Sequence, residues 1–222
     1  MSYGAYVQQY CCMDGTSTKQ STARGDAAVG DELRRATIEV LRESGFGGLT
    51  LERVAEVAGR ARSTLWRQGL SREALIRALV GELADDFRST MYPVLTSGGT
   101  GRERLVQGLE ALCGLLDRHL PLMLATDEAF HQDTAPGEPP DYLHPFIRFL
   151  REGAHDGSLP ALNDVVATAD VAFNAVAWPY VHLRGRHEWS AEQARARIVC
   201  MVMNGIAGAE SRHTAKRRKE SR

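Results

Sequence analysis

Apolar residues recur along this chain at spacings of three and four, and no stretch alternates with the period of two that marks a half-buried strand. Leu33, Ala36, Thr37, Val40 and Leu41 form the inner face of a helix predicted over 31–44, with Asp31 and Glu32 at the end where the helix dipole favours acid. Gly45 and Phe46 then read as a Schellman-type stop, with Phe46 packing back on Leu41. Leu51, Val54, Ala55 and Ala58 make a second, shorter stripe behind Thr50, a suitable N-cap. Gly59 permits a sharp turn. Residues 62–68 predict a third short helix whose only large apolar residues are Leu65 and Trp66. Ser71 caps a fourth helix. Its stripe of Ala74, Leu75, Ala78, Leu79, Leu83 and Phe87 runs to about Tyr92, where Pro93 stops it.

Beyond a loop at 97–101 the pattern stays helical, with segments expected at 105–120, 122–131, 142–156 and 163–184. A capping-box signature at Ser190 and Gln193 opens a last helix, running on over 194–208. The proline-rich stretch 134–141 reads as a loop. The expected fold is all-α. A polar, disordered arm (1–30) precedes a helix-turn-helix head (31–77), joined by a long helix to a helical regulatory and dimerisation body (78–210) and a basic tail (211–222). The last two helices are apolar on nearly every side and must be buried on more than one face. In a monomer they would be central core helices; in the favoured homodimer, which shares them across a two-fold axis, Ala172, Val176, Ile198, Val202 and Ile206 are expected at the interface.

Charge sharpens the picture. The net charge of −1 excludes a uniformly basic coat protein, so attraction to phosphate must be local. Residues 60–77 hold five arginines against one glutamate, whereas residues 78–140 hold ten acids against four arginines. The tail at 211–222 holds six basic residues against one acid and reads first as a solvated terminus, with nonspecific phosphate attraction as the alternative. Two short helices across a glycine turn, the second lined with arginine, form the pattern of a major-groove reader. The plainer reading is a helical corner with no DNA partner.

Other chemistry is sparse. The four cysteines show no zinc spacing: Cys11 and Cys12 are adjacent in the arm, and Cys113 and Cys200 stand alone in helical patterns. Free thiols, with no signal peptide or membrane span, fit a cytoplasmic protein without a membrane partner. The loop at 97–101 lacks the Lys-Ser/Thr of a phosphate-binding loop. Glu128-x-x-His131 and Glu152-x-x-His155 are each half of a di-iron motif, but a chain with this many Glu and His yields such pairs by chance, so a metal-binding bundle enzyme is a distant alternative. No catalytic residue, metal or cofactor is expected. His119, Met123, Phe146, Phe149, Phe173 and Trp178, with Tyr180 and His182, are candidates to line a cavity for a small, mainly hydrophobic effector.

The run Thr50-Leu51-x-x-Val54-Ala55-x-x-Ala58-Gly59, then Thr64-Leu65-Trp66-Arg67 and Ser71-Arg72-Glu73-Ala74-Leu75, resembles the head of the TetR family of bacterial transcriptional regulators. The resemblance extends over 31–79, with a fainter echo from Arg151-Glu152-Gly153 to Leu159. It implies a homodimeric all-α repressor that a ligand releases from a palindromic operator, working in the bacterial cytoplasm at the nucleoid. By position it implies phosphate contacts from Thr50, Trp66 and Arg72, base or flanking contacts from Arg62, Ser63 and Arg67, and a core role for Leu65. Trp66 stands where the family has tyrosine; its indole N–H can donate to a phosphate. Ala61 removes the usual Ser/Thr cap, a loss of roughly 1 kcal/mol. Arg60 replaces an apolar residue and becomes a further phosphate candidate. Gly69 replaces an aromatic, removing a buried ring. A chain of the same fold with weakened operator binding, serving as a ligand-binding or protein-interaction module, is the alternative.

Overall fold

The computed structural model describes residues 29–130 and 142–208, with the side chains of 126–130 excluded. Among them are nine α-helices and no strand: α1 (Asp31–Ser44), α2 (Leu51–Val57), α3 (Arg62–Arg67), α4 (Arg72–Thr96), α5 (Gly101–Arg118), α6 (Leu120–Phe130), α7 (His144–Asp156), α8 (Val165–Gly185) and α9 (Ala191–Ala207). The all-α expectation holds. Residues 1–28 of the predicted arm, the basic tail, the 134–141 loop and Glu128-x-x-His131 lie outside the described residues or side chains; Val29, assigned to the arm, is instead buried in the head core, and Gly30 is the N-cap residue of α1.

Side-chain caps set most helix starts. Thr50, Ser71, Asp164 and Ser190 each accept a backbone N–H three residues on, at 2.9–3.2 Å, opening α2, α4, α8 and α9. Two boundaries differ from the sequence reading. Helix α5 starts at Gly101 rather than Leu105, because Thr100 and Glu103 form a reciprocal capping box. Helix α4 passes through Pro93 and ends at Thr96, where the Thr96 and Ser97 hydroxyls donate to last-turn carbonyls. A proline this near the C-terminus forfeits one helical bond without ending the helix.

Two apolar cores result. The head core gathers Leu33, Val40 and Leu41 of α1, Val54 and Ala55 of α2, Leu65 of α3, and Leu75 and Leu79 of α4. The body core packs α4, α5, α7, α8 and α9 around Leu105, Leu109, Phe146, Phe149, Val176 and Tyr180. Two elements belong to both. Leu83 of α4 touches each core, and α6 sends Leu122 and Ala125 into the head but Met123 into the body. The head is therefore seated on the body through α6 against α1 as well as through α4. A polar clasp joins these two routes: the His119 ring nitrogen lies 2.9 Å from Asp86, and Arg118 donates to Thr90 at 2.7 Å.

The fainter sequence echo at 151–159 has a physical basis. The absence of a Cβ at Gly101 lets the N-terminus of α5 lie backbone to backbone against Gly153, and the absence of one at Gly153 lets Leu159 pack over it. There Asp156 accepts the Gly101 N–H at 2.7 Å, and the Ser158 hydroxyl accepts the Arg102 N–H at 3.0 Å. The bonds that Asp156 accepts, led by that from the Ser158 side chain, hold its carboxyl below the ordinary range. Deeper in α5, burial pushes the Cys113 thiol up to about 12, leaving it an inert core group.

Candidate nucleic-acid interface

The α2–turn–α3 unit is held by matched helix stops. At the end of α2, Gly59 (φ +62°) donates to the Glu56 carbonyl at 3.0 Å and Arg60 to Ala55 at 2.8 Å. At the end of α3, Gly69 (φ +72°) donates to Trp66 at 2.9 Å and Leu70 to Leu65 at 3.1 Å. Both are complete Schellman motifs, which need a left-handed residue that only glycine supplies without cost. Gly69 is therefore more than a missing ring. It ends α3 and turns Leu70 into the head core beside Leu65. As anticipated, Ala61 provides no side-chain cap for α3.

Helix α3 has one buried side chain, Leu65 at 0% exposure, and it turns the rest outward. Ser63 and Arg67 are exposed, and Trp66 is 73% exposed, a large ring left in solvent. Arg67 makes long bonds to its own helix, to the Ser63 carbonyl at 3.3 Å and the Thr64 hydroxyl at 3.5 Å. Such bonds exchange readily for a better acceptor. Arg62 pairs with Glu52 at 2.7 Å, with both side chains half exposed or more, a pairing worth at most about 1 kcal/mol. The Thr50 hydroxyl accepts the cap bond and keeps its own proton to donate.

Of the seven predicted DNA-facing residues, Arg60 and Arg72, like Arg62, also have partners within the head. Arg60 forks onto Glu32 of α1, at 2.6 and 3.1 Å, bracing the turn where an apolar residue would have packed. Arg72 places its guanidinium carbon 4.0 Å from the centre of the Phe46 ring and donates to the Phe46 carbonyl. It locks the start of α4 to the α1–α2 turn, a cation–π contact with a hydrogen bond added. Nothing in the pattern of apolar positions signalled either pairing.

In the body, the proposed cavity residues divide. Phe146 and Phe149 are fully buried and meet edge to face, with centroids 6.3 Å apart; Phe173 packs on Phe146 at 5.8 Å and stacks on Tyr142 at 6.1 Å. Phe146 and Phe149 are core rings, and Phe173 and Tyr142 pack partly exposed against them. Met123 is core, and His119 is engaged with Asp86. Trp178 lines a surface depression with Leu124, Pro179, Val181, His182 and Arg186. Tyr180 is buried too, its hydroxyl donating to Asp117, which also accepts from Arg184 at 2.7 Å. Glu152, half of the remaining Glu-x-x-His pair, is occupied by Arg104 and Arg148.

The dimer residues need correction. Ala172, Val176, Ile198 and Ile206 are buried in the subunit's own core, and Val202 is half buried against it. The apolar side chains that α8 and α9 leave outside are Val166, Val171 at 66% exposure and Met201 at 70%. Within the subunit, the predicted interface residues serve the core of α8 and α9 instead.

The sequence matches no protein-family profile and no curated relative. Its structure, however, aligns over most of its length with solved regulators. A TetR-family transcriptional regulator, PfmR from Thermus thermophilus, matches with a TM-score of 0.65 at 14% identity, over 79% of this chain and 98% of that one. The transcriptional regulator FadR from Bacillus subtilis, in complex with stearoyl-CoA, matches at 0.63 and 17% over the same shares. A TetR/AcrR-family regulator from Thermobifida fusca matches at 0.59 and 20%, over 78% of this chain and 96% of that one. The chain has the fold of TetR-family transcriptional regulators.

Proposed function

We propose that the protein is a ligand-responsive transcriptional regulator that binds a palindromic operator as a homodimer, α3 entering the major groove. The observation that carries this reading is the build of α3: one buried leucine, a glycine stop at each flank, and Ser63, Trp66 and Arg67 facing outward. Arg67 is the base reader, able to donate two bonds to a guanine edge; Thr50, Arg62 and Trp66 hold phosphates. An electrophoretic shift against DNA upstream of its own gene, at stated salt, tests this. Arg67→Ala is expected to weaken specific binding about 5- to 150-fold, and Arg62→Ala to weaken specific and nonspecific binding alike. Binding by the wild type that depends on salt but not on sequence would favour the alternative, a ligand- or protein-binding module of this fold. The uncapped start of α3 and the pairing of Arg60 and Arg72 within the head are what support that alternative.

The dimer forms through the outer face of α8 and α9 around Val171 and Met201, large apolar side chains that a lone subunit leaves in water. Met201→Arg is expected to give a monomer by light scattering with an unchanged helical spectrum, and to lose operator binding because two linked half-sites become one. An effector acts by shifting α6 and α4, the two elements shared between the cores, and so changing the separation of the heads. Its apolar contacts are the partly exposed rings Tyr142, Phe173 and Trp178, and the stearoyl-CoA held by the Bacillus subtilis regulator supports an apolar ligand. The place of action that this reading implies is the chromosome, and no described helix is long and apolar enough to cross a membrane.

A further inference from the structure

We propose that His182 and His187 form a chelating site for a divalent transition-metal ion of tetragonal preference, Cu(II) or Ni(II), at the α8–α9 turn. The two side chains meet because of how α8 ends. Helix α8 closes with the Arg186 N–H on the His182 carbonyl at 2.9 Å, and the chain then folds back so that the Trp189 N–H reaches Leu183 at 3.1 Å. Between these bonds Glu188 adopts φ +55°, the one left-handed non-glycine among the described residues. Arg184 fastens the turn from the other side by donating to the Trp189 carbonyl. A backbone held in a sparsely populated conformation by three separate bonds is pre-organised, and what it organises is His187 over His182.

The ring geometry suits a shared ion. The Nε2 atoms are 3.0 Å apart and the ring centres 4.8 Å. A linear Nε2–H···Nε2 hydrogen bond of that length would hold the centres about 5.3 Å apart, each nitrogen standing off its ring centre by about 1.1 Å along the bond. Two lone pairs converging on one ion at ~2.0–2.1 Å would bring the centres to about 4.7 Å and subtend about 95° at the metal. The observed 4.8 Å fits convergence as well as it fits a hydrogen bond bent at the accepting ring, the bond that an ion would displace. An angle near 95° is the cis angle of square-planar or tetragonal coordination; a tetrahedral zinc would need the nitrogens about 3.3 Å apart. Both histidines are exposed, so water can fill the remaining positions and an ion can enter from solvent.

Calorimetric titration of the full-length protein with Ni(II) tests the site in wild type, His182→Gln, His187→Gln and the double variant, which reports binding by the rest of the chain. The wild type is expected to take up one Ni(II) more than the double variant. Each single variant should bind that ion about tenfold or more weakly, because the second imidazole is what makes the chelate. Equal uptake by wild type and double variant, or a loss in only one single variant, overturns the proposal. Imidazole NMR of the wild type gives a readout that needs no mutant. Substoichiometric Ni(II) should broaden the His182 and His187 ring signals ahead of the other five histidines, and uniform broadening of all seven would sink the site.

Discussion

Alanine at Gly101 is expected to destabilise the protein by about 3 kcal/mol or more, although the change adds a single methyl group. A Cβ there would lie 2.0 Å from the Gly153 nitrogen, 2.4 Å from its Cα and 2.7 Å from the Glu152 carbonyl carbon. All three atoms are backbone, so no side chain can swing aside; α5 and α7 must part. Parting them also breaks the Asp156 and Ser158 caps on the first N–H groups of α5, leaving helix-end donors without partners. The contrast within the same helix is Gly114→Ala. A Cβ at Gly114 meets nothing within 4 Å, so that substitution is expected to stabilise by about 0.5–1 kcal/mol through helix propensity alone. Urea denaturation of the two variants decides the matter. A midpoint for Gly101→Ala equal to that of the wild type would mean that the α5–α7 contact is looser than the structure has it.

How far this architecture could be read from the sequence depended on which signals are local. Helix α1 was legible because its acidic start and its three–four stripe agree, and α2 and α4 began where Thr50 and Ser71 predict. The start of α5 was missed because apolar periodicity begins only at Leu105, while the Thr100–Glu103 box that opens the helix is polar. At Gly69 the sequence shows an absent ring, but the pairing of a left-handed glycine with a following Leu70 is a stop signal in its own right. The burial of Val176 and Ile198 was out of reach for a different reason. When a helix is apolar on two sides, periodicity identifies the helix but not which side faces its own subunit. The aromatic residues of the body pose the same problem, since a ring that fills a core and a ring that lines a cavity have the same sequence signature. Arg60 and Arg72 show the limit for charge. Five arginines in eighteen residues did mark the head, yet their partners, Glu32 and Phe46, lie 28 and 26 positions away.

Leu65→Ala is expected to abolish operator binding without touching any group that would face DNA. Leu65 is the sole buried side chain of a six-residue helix, and six residues cannot hold a helix without tertiary packing. Truncating a fully buried leucine costs about 2–5 kcal/mol, and here the cost falls on the element with the fewest other attachments. The Schellman stop at Gly69 depends on the same anchor, since Leu70 both donates to the Leu65 carbonyl and packs in the head core beside it. Once α3 detaches, Ser63, Trp66 and Arg67 no longer share one orientation, and affinity for a specific site should drop about a hundredfold or more, at roughly 1.4 kcal/mol per factor of ten. Hydrogen exchange separates this outcome from the loss of a contact. In Leu65→Ala the Gly69 and Leu70 amides should lose protection while those of α8 keep it; in Arg67→Ala all of them stay protected although specific binding is weakened. Intact protection at Gly69 and Leu70 in Leu65→Ala would show that α3 is held by more than its one leucine, and the reading of this helix as a separately anchored recognition element would have to be given up.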